Sequence, residues 1–161
     1  DRALLAVMIG CGLRRSEVSA LTRQKIQMVE QRWVILDLVG KRNRVRTIPM
    51  PSWAKVAVDA WCEAAGICDG FLFRPVAKAD RPGRTRLSPQ AIWNIVTGYG
   101  VDLHVECTPH NLRRTHAKLA HKGGAPVEQI QICLGHSSLL TTQIYLGLEQ
   151  DLHDAPCEDS D

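Results

Sequence analysis

Tyrosine is scarce in this chain. Its 161 residues contain two, Tyr99 and Tyr145, and aromatic side chains make up only 5%. No apolar run approaches the ~18 residues that a membrane-spanning helix requires. No basic stretch followed by an apolar core marks an export signal, so the expected location is cytoplasmic. The six cysteines, Cys11, Cys62, Cys68, Cys107, Cys133 and Cys157, are scattered and form no C-x-x-C pair, which predicts reduced thiols rather than a disulfide frame. No internal repeat argues for a solenoid, and no cluster of carboxylates offers itself to Mg²⁺. The stretch 149–161 lacks lysine and arginine altogether while carrying six acids.

Against these absences stands a basic body. The formal charge is +3, but without that acidic tail twenty basic residues face eleven acidic ones, and residues 1–46 alone hold ten against four. Such an imbalance points to a polyanionic partner, double-stranded DNA being the leading candidate. Hydrophobic residues at 45% and a length of 161 suffice for one domain with a real core. The opening DRALLAVMIG is already in helical pattern and lacks Met; it reads as a piece whose natural start lies upstream.

The chain divides readily into elements. ALLAVMIGCG reads as a helix ending near Gly10 or Gly12, followed by a short helix over 15–22 with Arg14 at the junction. IQMV, WVILDLV and VRTIPM read as three strands, the last two joined by a GKRNR turn whose tip carries Lys41, Arg42, Arg44 and Arg46. Pro51-Ser52 opens a helix closed by Gly66. FLF at 71–73 suggests a short strand, and 74–86 is a Pro/Gly loop with five basic residues and one acid. Ser88-Pro89 and Thr108-Pro109 are helix openings, the first expected to run through Ile95 and the second to Gly123. Pro126 starts another helix to Gly135, and Ser138 caps a last one. The predicted class is α+β, mainly helical, with one small three-stranded antiparallel sheet. Trp33, Trp53, Trp61 and Trp93 lie in strand or helix patterns and are expected to be core or half-buried, and Tyr99 to be structural.

Several patterns could carry chemistry. In TPHNLRRTH, His110 and Arg113 share a helix face at i, i+3, in a first turn whose free N–H groups favour an anion. Arg14 follows Gly12-Leu13 at a helix junction, and its guanidinium can grip two phosphate oxygens. Glu17, three residues on, could orient Arg14 or stabilise its helix start. Lys41 heads a turn from which a lysine can reach a substrate and donate a proton. A competing pattern is the pair of C-x-x-H strings, Cys107–His110 and Cys133–His136, which could form a Cys₂His₂ zinc site. Cys133 falls in an apolar helical pattern and is better explained as core, so no metal is expected.

Taken in order, GLRRSEVSAL, GKRNRVRTIPMP, TPHNLRRTHA and LGHSSLLTTQIY resemble the catalytic domain of the tyrosine recombinase (phage integrase) family, from about residue 1 to about residue 148. The resemblance implies a six-residue active site: Arg14, Lys41, His110, Arg113, His136 and the nucleophile Tyr145, with Glu17 in support. It further implies that an N-terminal DNA-clamping domain is absent from this chain. The family's C-terminal docking helix has here only the short acidic tail, 149–161, in its place. A homotetramer on synapsed DNA, monomeric when free, would be the working form, in a bacterial or phage-derived, nucleoid-associated setting. DNA contacts would fall on Arg15, Arg42, Arg44, Arg46, Lys78, Arg84, Arg86 and Arg114.

The implied reaction needs these residue types. A phenol with pKa about 10 is a weak nucleophile at neutral pH and requires a base, for which His110 is placed. Two arginines and His136 would stabilise the charge gathering on the non-bridging phosphoryl oxygens, and Lys41 would protonate the departing 5′-oxygen. No ATP, metal or other cofactor is called for. The alternatives are a type IB topoisomerase, which shares nucleophile and charge clamp, and a non-catalytic DNA-binding module.

Overall fold

The computed structural model describes residues 1–39, 45–77 and 81–147. Lys41, Arg42, Arg44, Lys78 and the acidic tail lie outside the described residues. Among the described residues, seven α-helices and three strands occur in the order α1 (Arg2–Cys11), α2 (Arg15–Ala20), β1 (Ile26–Val29), β2 (Arg32–Val39), β3 (Val45–Pro49), α3 (Ser52–Ala65), α4 (Pro89–Asp102), α5 (Pro109–Lys122), α6 (Val127–Leu134) and α7 (Leu139–Leu146). The sheet is an antiparallel meander, β1-β2-β3. This is the mainly helical α+β architecture that the sequence predicts. No helix among the described residues is long and apolar enough to cross a membrane.

Helix α1 runs through the middle of the core. Val7, Met8 and Cys11 are fully buried and belong to one apolar cluster with Ile35, Ile48, Ala54, Val58, Leu72, Ile92 and Val96. Gly12 ends the helix in the left-handed region, φ 60°, and its N–H bonds Met8 O at 3.1 Å. A Cβ there would stand 2.5 Å from His116 on α5, so glycine is needed both for the turn and for the approach of α5.

The sheet carries one irregularity with consequences. Ile35 pairs with Ile48 and Leu38 with Arg46, one residue more on β2 than on β3. This bulge, where Asp37 has φ 49°, lets Ile35 and Leu38 both face inward although three residues apart. On the unbulged β3, Arg46 and Ile48 are two residues apart and share the buried face.

A second, smaller apolar cluster (Ala117, Ile130, Leu134 and Leu146) mounts α7 on α5 and α6, with the half-buried Tyr145 against it. Each such aliphatic side chain fully buried contributes about 1.5–3 kcal/mol relative to exposure.

Some expectations are corrected. Helix α4 continues past Ile95 to Asp102, because fully buried Val96 anchors the later turns. FLF contributes an isolated bridge between Phe71 and Thr22 rather than a strand. Trp61 and Trp33 are half-buried, the former bonding Leu72 O at 2.8 Å and the latter lying under the Lys55 ammonium at 3.8 Å. Trp53 and Trp93, by contrast, are 54% and 39% exposed. Tyr99, also exposed, donates to Asp1 Oδ2 at 3.1 Å. Cys11, Cys62, Cys68, Cys107 and Cys133 are free thiols.

Candidate active site

Three sequence-distant arginines meet at the C-terminus of α6. A helix end leaves its last carbonyls without intrahelical partners, and here successive ones are taken by side chains from other elements. Arg46 Nε donates to Cys133 O at 2.8 Å, Arg113 Nη2 to Leu134 O, and Arg14 Nη2 to Gly135 O at 3.2 Å. Arg113 Nη1 also donates to Gly12 O, so the turn that ends α1 and the turn that ends α6 are tied through one guanidinium. The residue after this clamped end is His136.

Glu17 holds two of the arginines, Arg14 and Arg46, from beneath. Its carboxylate is buried, accepts Arg14 N–H and Arg14 Nη1 at 2.8 Å each, and takes Arg46 Nη2 at 3.0 Å on both oxygens. It closes the start of α2 and orients Arg14 at the same time, so both readings of its role describe one geometry. Arg46 needs a correction. Its side chain is 6% exposed, which is incompatible with an outward DNA contact: it is an interior strut between β3, Glu17 and α6. Its Nη1 is buried with no partner among the described residues.

Tyr145 lies beside both histidines. Its hydroxyl is 3.1 Å from His110 Nδ1, and the two rings meet edge to face with centroids 5.1 Å apart. The His136 ring is nearer, 4.7 Å, at 73° to the phenol. His136 Nδ1 is 3.0 Å from Thr142 Oγ1. His110 sits in the first turn of α5, behind Pro109 and the Thr108 cap, whose hydroxyl accepts Asn111 N–H at 3.2 Å.

His110 and Arg113 also face a cleft of about 360 Å³, shared with Arg14, Arg15, Trp93, Thr108 and Pro109. Arg14, His110, Arg113, His136 and Tyr145 are thus gathered in one place. Among the other expected contacts, Arg15, Arg84, Arg86 and Arg114 are exposed. Arg114 lines a neighbouring cleft with His110, Asn111, Thr115 and Lys118 and donates to Tyr145 O at 3.2 Å.

The electrostatics follow from crowding of positive charge. Burial first, then the nearby charges of Arg113, Arg14, Arg46 and His110, push His136 down to about 4, so it is a neutral imidazole at pH 7. Burial and then Arg14 lower Arg113 to about 10, which leaves it cationic at neutral pH. The cleft and the histidines beside it thus lie in a region of concentrated positive charge. Among the described residues no three His, Cys, Asp or Glu side chains are placed to share a metal ion.

Trp93 is the member that sequence reasoning missed. An exposed indole in a cationic cleft is suited to stack on a base or sugar. Its position in α4 gave only a helical pattern, with no signal that its face would be left open.

Comparison with known proteins identifies the family and the fold. The phage integrase family model matches residues 1–151. Tyrosine recombinase XerA of Thermococcus onnurineus (strain NA1) is 31% identical, over 90% of this chain and 50% of its own length. Tyrosine recombinase XerD of Bifidobacterium longum (strain NCC 2705) is 35% identical, over 90% of this chain and 48% of its own. The chain therefore spans about half the length of the curated relatives it matches. Among solved structures, a crystal structure of XerA recombinase gives a TM-score of 0.74 at 26% identity, covering 91% of this chain and 53% of that one. XerH recombinase in a pre-cleavage complex with its difH substrate shares the fold at a TM-score of 0.75 and 20% identity, covering 94% and 43%. The chain belongs to the phage integrase family, that of the tyrosine recombinases.

Proposed function

We propose that residues 1–148 form the catalytic domain of a site-specific DNA recombinase that cleaves and rejoins strands through a 3′-phosphotyrosyl intermediate. The observation that carries this reading is the 3.1 Å approach of Tyr145 Oη to His110 Nδ1 beside the arginine-lined cleft. Tyr145 Oη attacks phosphorus in line with the 5′-oxygen. The Oη–P bond forms, the P–O5′ bond breaks, and the phenolic proton passes to His110 Nδ1. Arg14 and Arg113, fixed by Glu17 and by backbone carbonyls, meet the negative charge that develops on the non-bridging oxygens. His136 adds a neutral donor, and Lys41 supplies the proton to the leaving 5′-oxygen. Attack of a second strand's 5′-hydroxyl on the phosphotyrosyl link reverses these steps, so the bond energy is conserved and no cofactor is consumed.

The partner is double-stranded DNA, held by the exposed Arg15, Arg84, Arg86 and Arg114 together with Arg42, Arg44 and Lys78. The working assembly is a homotetramer on synapsed DNA formed from free monomers in a nucleoid-containing cytoplasm, and residues 149–161 form an acidic tail beyond the catalytic domain. Relatives named as recombinases do not favour the topoisomerase reading.

The test uses the protein and a nicked duplex carrying its cognate recombination site. Wild type should form a covalent adduct; Tyr145→Phe should bind the duplex equally and form none. An adduct that survives Tyr145→Phe would refute the assignment.

A further inference from the structure

Thr142 is fully buried, on the nucleophile's own helix, one turn before Tyr145. A hydroxyl in such a place requires a partner, and the partner recorded for it among the described residues is His136 Nδ1, at 3.0 Å. The contact can be arranged in two ways, since a neutral imidazole carries one N–H. If Nδ1 held the proton and donated to Oγ1, the threonine's own hydroxyl proton would be left in the interior without an acceptor. If the hydroxyl donates to Nδ1, that proton is satisfied and the imidazole N–H is at Nε2. The second arrangement leaves no buried donor orphaned.

We propose that Thr142 is a positioning residue whose buried hydroxyl donates to His136 Nδ1 and fixes the Nε2–H tautomer, the form able to donate to a phosphoryl oxygen. This rests on the strand-transfer reading above and adds a dependence to it. Because Thr142 and Tyr145 share α7, the helix that delivers the nucleophile also sets the proton on the second histidine. Any displacement of α7 would therefore remove the nucleophile and the hydroxyl that orients His136 at the same time. The depressed basicity of His136 is in keeping with a histidine that works as a neutral donor.

The experiment compares Thr142→Val, which keeps the β-branched shape and removes the hydroxyl, with Thr142→Ser, which restores it. In ¹⁵N-histidine NMR of the free protein, His136 should be protonated at Nε2 in wild type and T142S, and should populate both tautomers in T142V. On the nicked duplex, T142V should bind within about twofold of wild type and form adduct about tenfold or more slowly, as loss of an oriented transition-state donor implies. T142S should recover most of that rate. In a His136→Ala background, T142V should slow the reaction no further. Protonation at Nδ1 in wild type, wild-type cleavage by T142V, or additive effects of T142V and H136A would each overturn the proposal. A wild-type protein that forms no adduct would defeat the strand-transfer reading, and the tautomer measurement would still decide the role of Thr142.

Discussion

Arg15 and Arg46 both stand near the candidate active site and do opposite things. Arg15 is exposed on the wall of the cleft, whereas Arg46 is turned inward onto Glu17 and Cys133 O. Replacing Arg15 by Ala should weaken DNA binding across sequences and lower the slope of log affinity against log salt by about 1, read from titrations at several salt concentrations. Replacing Arg46 by Met should leave that slope unchanged and destabilise the fold by about 3 kcal/mol in urea melts, because Glu17 keeps its burial and loses one of two cationic partners. The inward role was readable in principle. Arg46 and Ile48 alternate along β3, Met50 just beyond it keeps the same period, and both apolar members of that set are buried. The weight given to a basic turn hid a period of two. Trp93 was not readable, since nothing in LSPQAIWNIV says which helical face its neighbours will leave uncovered.

At the scale of elements, the starts and ends of helices were the most legible features. Ser88 and Thr108 accept the N–H groups expected of caps, and Gly12, Gly66, Gly135 and Gly147 end four helices in the left-handed region. These signals are local, so a single sequence holds them. The β2 bulge was not legible, because it answers to the register with β3 and to the demand that Ile35 and Leu38 face one core. The α1–α5 junction gives the sharpest test at this scale. Gly12→Ala should lower stability by about 2 kcal/mol or more, from the left-handed backbone alone about 1–2 and further from the clash with His116. A thermal melt should fall by roughly 5 °C or more, with adduct formation reduced as Arg113 loses the placement of Gly12 O.

For the molecule as a whole, the burial of His136, reinforced by the positive charge around it, makes a prediction about pH. Its ordinary value is 6.5 and the folded protein holds it near 4; His116, buried against Ile9 O, is also lowered. Below 6.5 the unfolded chain takes up protons that the folded chain refuses. Stability should therefore fall as pH is lowered from 6.5 towards 4 and be insensitive to these groups above 6.5. His136→Asn should flatten the fall in melting temperature over that window, measured in matched buffers. The order of the six motif residues along the chain was legible without any structure. The convergence of five of them, Arg14, His110, Arg113, His136 and Tyr145, depends on the packing of α1, α5, α6 and α7, which no local pattern encodes.

The arginines that hold the end of α6 come from far apart in the chain: 121 residues separate Arg14 from Gly135, 87 separate Arg46 from Cys133, and 21 separate Arg113 from Leu134. Glu17 can hold Arg14 and Arg46, and Gly12 O can take Arg113, before α6 exists, but the clamp on the end of α6 closes only once that helix has been made. The proposed nucleophile follows only ten residues later. Local helix formation alone therefore cannot complete this clamp: it waits on the docking of α6 against elements laid down much earlier in the chain, a non-local step of the kind that slows folding.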